Sequence, residues 1–213
     1  MISIPPSLLR LLIVALLLSG CAHQLPKAPL ISEDWPRHQA QVEAFKHWQA
    51  TGKLAVKVPN GGGSMSLRWQ HEPDGFHIDF NGPFGQNILS ITGEPNHVIL
   101  SEPGKDSISA KTAEELIRRN TGWTIPVTQL AFWVRGLPAP NAKVTRFAPN
   151  AQGLIGELEQ LGWKVSYGDY LSVANGAETI AMPGRIIAEF KDMRLTLAIR
   201  EWQLGPVSME PTP

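Results

Sequence analysis

The spacing of large side chains changes along the chain, and it begins with a helical period. Between residues 36 and 48 such side chains recur at three- and four-residue steps, at His38, Val42, Phe45 and Trp48. Side chains with this spacing lie on one face of a helix. Proline suits a first helical turn, because its missing N–H would have no helical partner there. The pattern therefore predicts a helix over 36–48 that begins at Pro36.

The period then changes to two, which is the period of a half-buried strand. Turn sequences at 60–63 (NGGG) and 73–75 (PDG) separate the first alternating segments. Short strands with regular turns are typical of a β-barrel or a β-sandwich. The alternation predicts eleven strands, at 53–58, 65–70, 76–80, 86–93, 97–102, 107–110, 143–148, 153–160, 163–168, 184–190 and 194–204.

Two further helices are predicted between the sixth and seventh strands. Thr112 and Glu115 form a capping box at the start of the first one, and Gly122 suits its C-terminal end. The second covers 127–135 and is stopped by Gly136 and Pro138. The helices would then cover the open end of the β structure.

Nearly every predicted strand has one apolar and one polar face, so the sheet must bury or enclose one large side. Strands that close around an apolar interior leave either a packed core or a ligand cavity. The strand pattern alone favours the packed core, and a ligand cavity remains the alternative interpretation. Residues 34–204 carry this pattern without an obvious break and are predicted to form one domain.

The N-terminus has the pattern of a targeting segment. Arg10 precedes an eight-residue apolar run at 11–18, which is too short to span a bilayer but matches a signal peptide over 1–20. Residues 21–33 then form a flexible tether with the only cysteine, Cys21, at its start, and 205–213 form a proline-rich tail. A generic secretory signal with an incidental cysteine is one interpretation.

The sharper interpretation rests on Leu18-Ser19-Gly20-Cys21, which resembles the bacterial lipobox. The resemblance implies that the signal is cut before Cys21 and that this residue is acylated. More than one acyl chain is needed for stable anchoring, so the mature chain would be held at a membrane without crossing it. Ala22 after the cysteine resembles a signal for sorting to the outer membrane.

Composition narrows the function classes. Nineteen basic and nineteen acidic residues give no net charge, which argues against nucleic-acid binding. A single cysteine excludes an internal disulfide and a multi-cysteine zinc site. The six histidines lack the spacing of a metal pair, and neither a nucleophile elbow nor a phosphate-binding loop is found. We therefore expect a protein that is not an enzyme and has no metal or cofactor.

One loop places a large aromatic side chain between two strands. Phe84 lies between Pro83 and Gly85 at the centre of the 81–86 loop. Turns rarely require phenylalanine. Phe84 either folds back onto the sheet, or it is an apolar finger that inserts into a lipid surface or a partner's pocket.

Together these features resemble the LolB family of outer-membrane lipoproteins, and the resemblance covers almost the whole mature chain. Single motifs are weakly specific, but their order is distinctive. The matching segments are Leu18-Ser19-Gly20-Cys21, Trp35-Pro36-x-His38, Arg68-Trp69-Gln70, 81–85, 113–117, Pro126-Val127, Trp133-Val134-x-Gly136-Leu137-Pro138, Gly162-Trp163-Lys164-Val165-x-Tyr167, Ala181-Met182-Pro183 and Trp202.

The resemblance implies an unclosed antiparallel β-barrel of about eleven strands, with an α-helical lid and an apolar cavity. It implies a monomeric receptor that takes acylated lipoproteins from the periplasmic carrier LolA and inserts them into outer-membrane lipid without ATP. The family's loop carries an exposed apolar residue, often leucine, and Phe84 takes that place here. The residues predicted to enclose an acyl chain are Leu67, Trp69, Phe76, Ile78, Phe80 and, in the lid, Trp133.

Two other functions remain open at this point. One is an outer-membrane lipoprotein scaffold with a packed core that docks other proteins. The other is an envelope lipid hydrolase, which would need a nucleophile, a base and an acid that converge beside the cavity.

Overall fold

The computed structural model describes residues 34–206 of the 213-residue chain. The predicted signal peptide 1–20, Cys21 and its tether to residue 33, and tail residues 207–213 lie outside the described residues. The described part contains the helices α1 (Trp35–Ala44), α2 (Ala113–Thr121) and α3 (Val127–Trp133). Its strands are β1 (Trp48–Val58), β2 (Gly61–Glu72), β3 (Gly75–Asn81), β4 (Asn87–Glu94), β5 (His97–Ser101), β6 (Ile108–Ala110), β7 (Val144–Pro149), β8 (Ile155–Gln160), β9 (Trp163–Gly168), β10 (Leu171–Asn175), β11 (Glu178–Met182), β12 (Arg185–Phe190) and β13 (Met193–Leu204).

Eleven of these strands form one antiparallel sheet in the order β6-β5-β4-β3-β2-β1-β13-β12-β9-β8-β7. The strands at the two ends, β6 and β7, each pair with one neighbour within the described residues, so the sheet is open. The eleven predicted strands correspond to these eleven. The predicted fold class, an unclosed antiparallel β-barrel with a helical lid, is confirmed.

The hairpin β10–β11 was not predicted. Its strands pair with each other in a separate two-stranded sheet. Gly176 and Ala177 form the two-residue turn between them, and Gly176 has a φ of 63°. Glycine at the first position of a two-residue turn is a hairpin signal, but each flanking strand is only five residues long and half of the residues in the two strands are exposed.

The predicted helix at 36–48 is too long at its C-terminal end. Helix α1 ends at Ala44, and Phe45 already has an extended backbone. Trp48 is the first residue of β1, pairs with His71 and Leu204, and is completely buried. Its ring packs between those of Trp69 and Trp202, with centres 5.4 and 5.8 Å apart respectively. This tertiary packing outweighs the local helical spacing.

The predicted caps of α2 are present. The Thr112 hydroxyl accepts a hydrogen bond from the Glu115 backbone N–H at 3.1 Å, and the Glu115 carboxylate reaches back to the N–H of Lys111 at 3.2 Å. Gly122, with a φ of 75°, closes the helix by donating to the carbonyl of Arg118 at 2.9 Å. These local bonds fix where the helix begins and ends.

Candidate acyl-binding cavity and membrane loop

A small apolar cavity lies between the sheet and the helices α2 and α3. Its volume is about 90 Å³, and every residue that lines it is hydrophobic. The sheet contributes one wall and the helical segment the other. The lining residues are Leu54, Val56, Leu67, Trp69, Ile78, Phe80, Ile91, Leu195 and Leu197 from the sheet, and Ile117, Ile125, Val127 and Leu130 from the helical segment.

Strand register places four of the six predicted cavity residues together. Leu67 on β2 lies opposite Phe80 on β3, and Trp69 lies opposite Ile78. All four are between 3% and 8% exposed. Because side chains alternate across a strand, a register slip of one residue would move this set to the other face.

Phe76 and Trp133 lie outside the lining of this cavity. Phe76 is directly opposite Gly93, and a Cβ atom at Gly93 would come within 2.1 Å of its ring, so the ring lies across the glycine. Trp133 is completely buried at the end of α3. It faces β8 and β9, where its N–H donates to Gln160 and its ring centre lies 6.2 Å from that of Trp163.

Sequence reasoning missed several lining residues. Leu54 and Val56 on β1 face the cavity beside Leu197 and Leu195 on β13, with which they pair directly. Their period-two spacing was visible in the sequence, but no local signal shows that β1 and β13 are neighbours. Ile117, Ile125, Val127 and Leu130 of the helical segment were likewise not selected.

A second, more polar pocket of about 280 Å³ adjoins the apolar cavity, and we call it the vestibule. Trp69 and Val127 line both spaces. The vestibule is lined by Trp69, His71, Phe76, Glu94, Asn96, Val98, Lys111, Thr112, Ala113, Glu114, Val127, Thr128, Ala131, Phe132 and Arg135. Beyond it lies an outer cleft of about 670 Å³, which shares His71, Phe132 and Arg135 with the vestibule.

Two ionisable groups in the vestibule have altered pKa values. Burial lowers the pKa of His71 to about 4, and the positive charge of Arg135 adds to the effect, so this imidazole is neutral at pH 7. Burial also lowers the pKa of Arg135 to about 10, partly opposed by Glu43, and the guanidinium stays charged at pH 7. The vestibule therefore contains one buried positive charge.

The 81–86 loop presents its aromatic side chain to solvent. Gly82 donates to the carbonyl of Gln86 at 2.9 Å, and Gly85, with a φ of 81°, donates to the carbonyl of Gly82 at 3.0 Å. The Phe84 N–H donates to the Gln86 side chain at 3.1 Å. Pro83 and Gly85 are exposed, and Phe84 is 95% exposed, so its ring does not fold back onto the sheet.

No helix within residues 34–206 is long and apolar enough to cross a membrane. The same residues contain no group of three or more His, Cys, Asp or Glu side chains placed to hold a metal ion.

Comparison with known proteins decides the family. The sequence model of the family described as "Outer membrane lipoprotein LolB" matches residues 46–202. This chain belongs to the LolB family. A relative named outer-membrane lipoprotein LolB, from Cellvibrio japonicus, is 45% identical over 194 residues, which cover 91% of this chain and 95% of the relative. The relative of the same name from Stutzerimonas stutzeri is 36% identical over 89% of this chain and 92% of its own length.

Solved structures resemble this LolB-family chain in fold at low sequence identity. A putative outer-membrane lipoprotein-sorting protein domain from Vibrio parahaemolyticus has a TM-score of 0.54 at 9% identity, over 83% of this chain and 92% of that one. A DUF1329 family protein from Desulfovibrio piger has a TM-score of 0.51 at 8% identity, over 82% and 91% respectively. LolB-family membership supports a role in lipoprotein localisation at the outer membrane.

Proposed function

We propose that this protein is an outer-membrane receptor that accepts acylated lipoproteins from the periplasmic carrier LolA and inserts them into the outer membrane. The observation that carries the proposal is the entirely apolar cavity between the sheet and the helices α2 and α3. Each methylene of an acyl chain costs about 0.8 kcal/mol when it is exposed to water. A protein that passes such chains between a carrier and a bilayer must therefore enclose them in an apolar space.

Transfer of this kind needs no catalytic residues and no ATP. The acyl chains move down a series of increasing affinities, from the carrier to the receptor and then to the bilayer. The receptor is accordingly a binding protein, and its partners are LolA, the lipoprotein cargo and outer-membrane lipid. Its specificity depends on apolar enclosure, which agrees with the absence of net charge in the chain.

The cavity must widen before it can hold an acyl chain. Its volume of about 90 Å³ is well below the roughly 300–1,000 Å³ of typical ligand pockets. The wall formed by α2 and α3 is the part that can move. The two helices are joined by a 2.7 Å hydrogen bond from the Thr128 N–H to the Glu114 carboxylate, so they would move as one lid.

Two further features attach the receptor to its membrane. The lipobox cysteine, Cys21, supplies the N-terminal lipid anchor. Phe84 projects from its loop and enters the bilayer during delivery. Replacing Cys21 with alanine should release the protein into the periplasm. If the Cys21→Ala protein remained in the membrane fraction, anchoring by Cys21 would be wrong.

The small size of the cavity favours a second function. A LolB-family protein with an essentially packed core would act as an outer-membrane scaffold that docks other proteins and transfers no lipid. This alternative predicts that acyl chains do not bind, however long the protein is exposed to them.

A cavity-filling variant distinguishes the two functions. Val56 lines the cavity, whereas Val58 lies two residues further along β1 and does not. We would prepare Val56→Phe and the matched control Val58→Phe in the mature chain, with Cys21→Ala and a cleavable signal peptide to keep it free of lipid. The measurements are binding of a fluorescent fatty acid and, with the anchored protein, lipoprotein transfer from loaded LolA to liposomes.

If the protein is a receptor, Val56→Phe should weaken fatty-acid binding and slow lipoprotein transfer at least about ten-fold, whereas Val58→Phe should do neither. Ten-fold corresponds to about 1.4 kcal/mol, which is less than the burial of one large apolar side chain contributes. If the unsubstituted chain binds no fatty acid, the receptor function is excluded and the scaffold function is favoured.

A further inference from the structure

The vestibule contains a buried cation that has no carboxylate within salt-bridge distance. Arg135 is only 6% exposed and lines both the vestibule and the outer cleft. Among residues 34–206, no carboxylate oxygen lies within 4.0 Å of its guanidinium nitrogens. Glu43, the acidic residue whose charge acts on it, instead accepts a hydrogen bond from Gln39.

The neighbours of Arg135 satisfy only part of its hydrogen-bonding capacity. Its Nε donates to the carbonyl of Ala131 at 3.1 Å, and Nη1 donates to the carbonyl of Phe45 at 3.3 Å. The guanidinium carbon lies 5.3 Å from the ring centre of Phe132 and 5.6 Å from that of Trp48. An arginine side chain has five N–H donors, so this fork can still donate to a ligand.

Other polar atoms around Arg135 also lack hydrogen-bond partners. Nε1 of Trp69, Nε1 of Trp48 and Nδ1 of His71 are buried without one in the described structure. The three rings are in contact, with Trp48 stacked on His71 at 5.1 Å between centres. Buried polar groups are rarely left unpaired, and those that are call for an explanation such as a ligand. Indole and guanidinium groups only donate, so the complementary ligand is an acceptor.

We propose that the vestibule binds the oxygen atoms at the head of a bound acyl chain, with the guanidinium of Arg135 as the hydrogen-bond donor, while the chain itself occupies the apolar cavity. The inference rests on the proposed function and adds the part of the ligand that the apolar cavity cannot recognise. An acyl chain attached through an ester or an amide carries a carbonyl oxygen at its head, and a fatty acid carries a carboxylate. Both are acceptors that suit this set of donors.

The placement of the two spaces suits such an amphipathic ligand. Trp69 forms part of the wall of both, so a chain in the apolar cavity would have its head in the vestibule. Lys111 on the vestibule wall adds a second positive charge to the same space. Two acidic residues, Glu94 and Glu114, also line this space, and neither has a carboxylate oxygen within 4.0 Å of the Arg135 guanidinium nitrogens. Glu94 is exposed, and one oxygen of Glu114 accepts a hydrogen bond from the N–H of Thr128.

The test compares three ligands that share a chain and differ in the head: laurate, methyl laurate and dodecane. Each displaces a fluorescent fatty acid from the mature chain with Cys21→Ala, and from the same chain with Arg135→Met. Methionine keeps an unbranched apolar stem and removes the charge and donors. The matched control is Arg118→Met, an exposed arginine of α2 that does not line the vestibule.

We expect Arg135→Met to weaken the binding of laurate and of methyl laurate about ten-fold, which corresponds to about 1.4 kcal/mol. The binding of dodecane should not change. Arg118→Met should leave all three unchanged. If only laurate bound more weakly, the head group recognised by Arg135 would be a carboxylate. If both laurate and methyl laurate bound more weakly, a carbonyl oxygen would be sufficient for recognition. Equal weakening of all three ligands would overturn the inference, because Arg135 would then only support the shape of the pocket.

A measurement on the unsubstituted chain does not depend on the folding of the variant. The guanidinium nitrogen resonances of Arg135 should shift when methyl laurate is added and stay in place with dodecane, which binds beyond the vestibule. Binding of methyl laurate without such a shift would overturn the inference and leave the proposed function intact. Failure of every ligand to bind would instead remove the proposed function, and this inference with it.

Discussion

The indole N–H of Trp133 donates a hydrogen bond to Oε1 of Gln160 over 2.8 Å, and both side chains are completely buried. The same amide accepts from the N–H of Ala139 at 2.8 Å and donates to the carbonyls of Ala139 and Ala142 at 3.0 and 2.7 Å. One side chain on β8 therefore fixes the end of α3 and the segment that follows it. The lid is held at this end by polar bonds and covers the cavity with apolar side chains.

Replacing Gln160 with leucine should lower the free energy of unfolding by roughly 3 kcal/mol. Leucine has no amide group, so this substitution leaves several buried backbone and indole groups without a hydrogen-bond partner. Each such group costs about 1–3 kcal/mol. Urea denaturation measures the change. Gln203→Leu, on the exposed face of β13, is the control and should stay within about 0.5 kcal/mol of the wild type. An unchanged midpoint for Gln160→Leu would contradict this role.

Gly52→Ala should destabilise the sheet by about 1–3 kcal/mol. Gly52 lies at a register shift between β1 and β13, and a Cβ atom there would come within 2.2 Å of the Ala198 carbonyl oxygen. Because the obstructing atom is backbone, the strands would have to separate. A Cβ atom at Gly63 would meet nothing within 4 Å, so Gly63→Ala should keep the wild-type melting temperature. Equal melting temperatures for the two variants would show that the close approach at Gly52 is unimportant.

Stability should fall in acid because of His71. Burial holds its pKa at about 4 in the folded protein, against 6.5 for the free side chain. The unfolded chain therefore binds more protons between these values, so this contribution is complete above about pH 6.5 and is lost as the pH falls towards 4. We expect a loss on the order of 2 kcal/mol, reduced from the full shift because the side chain keeps some contact with water.

Urea denaturation across this pH range checks the effect of His71. His71→Phe removes the titrating group and should flatten the pH dependence between about pH 6.5 and 4. The same slope in the wild type and in His71→Phe would assign the acid sensitivity to other residues.

Phe84→Glu should slow lipoprotein delivery to liposomes at least about ten-fold and leave the melting temperature unchanged. The side chain is 95% exposed, so the fold does not depend on it. Burial of a phenylalanine ring in lipid contributes about 1.5–3 kcal/mol, which corresponds to ten-fold or more. Phe84→Leu keeps an apolar group and should deliver at nearly the normal rate. Normal delivery by a folded Phe84→Glu protein would show that the loop does not insert.

Much of the local structure was predictable from the sequence. The capping residues of α2 act within one turn, so Thr112 and Gly122 mark its ends without help from the rest of the molecule. The alternating strands were also found, since each records which of its side chains are buried. The predicted end of α1 was wrong, because the burial of Trp48 depends on Trp69 and Trp202, which come from distant parts of the chain.

The residues of the candidate site likewise divide into those that could be predicted from the sequence and those that could not. Leu67, Trp69, Ile78 and Phe80 were predicted from the alternation of apolar side chains within each strand, and the pairing of β2 with β3 brings them together on one face. Leu54 and Leu197 meet only when β1 pairs with β13, and alternation within a strand does not record its neighbour. Arg135 was not selected as a site residue, since its burial without a carboxylate within salt-bridge distance is a property of the assembled vestibule.

The sequence by itself therefore determined the eleven strands of the main sheet, most of the helical caps, the family resemblance and the exposed-loop hypothesis for Phe84. Each of these depends on residues that are close together in the chain or on motifs in a recognisable order. Only the tertiary structure decided which face of the open sheet is enclosed, how small the apolar cavity is, and that a buried arginine lies beside it. These depend on contacts between distant segments, whose pairing is set by the packing of the whole sheet against its lid.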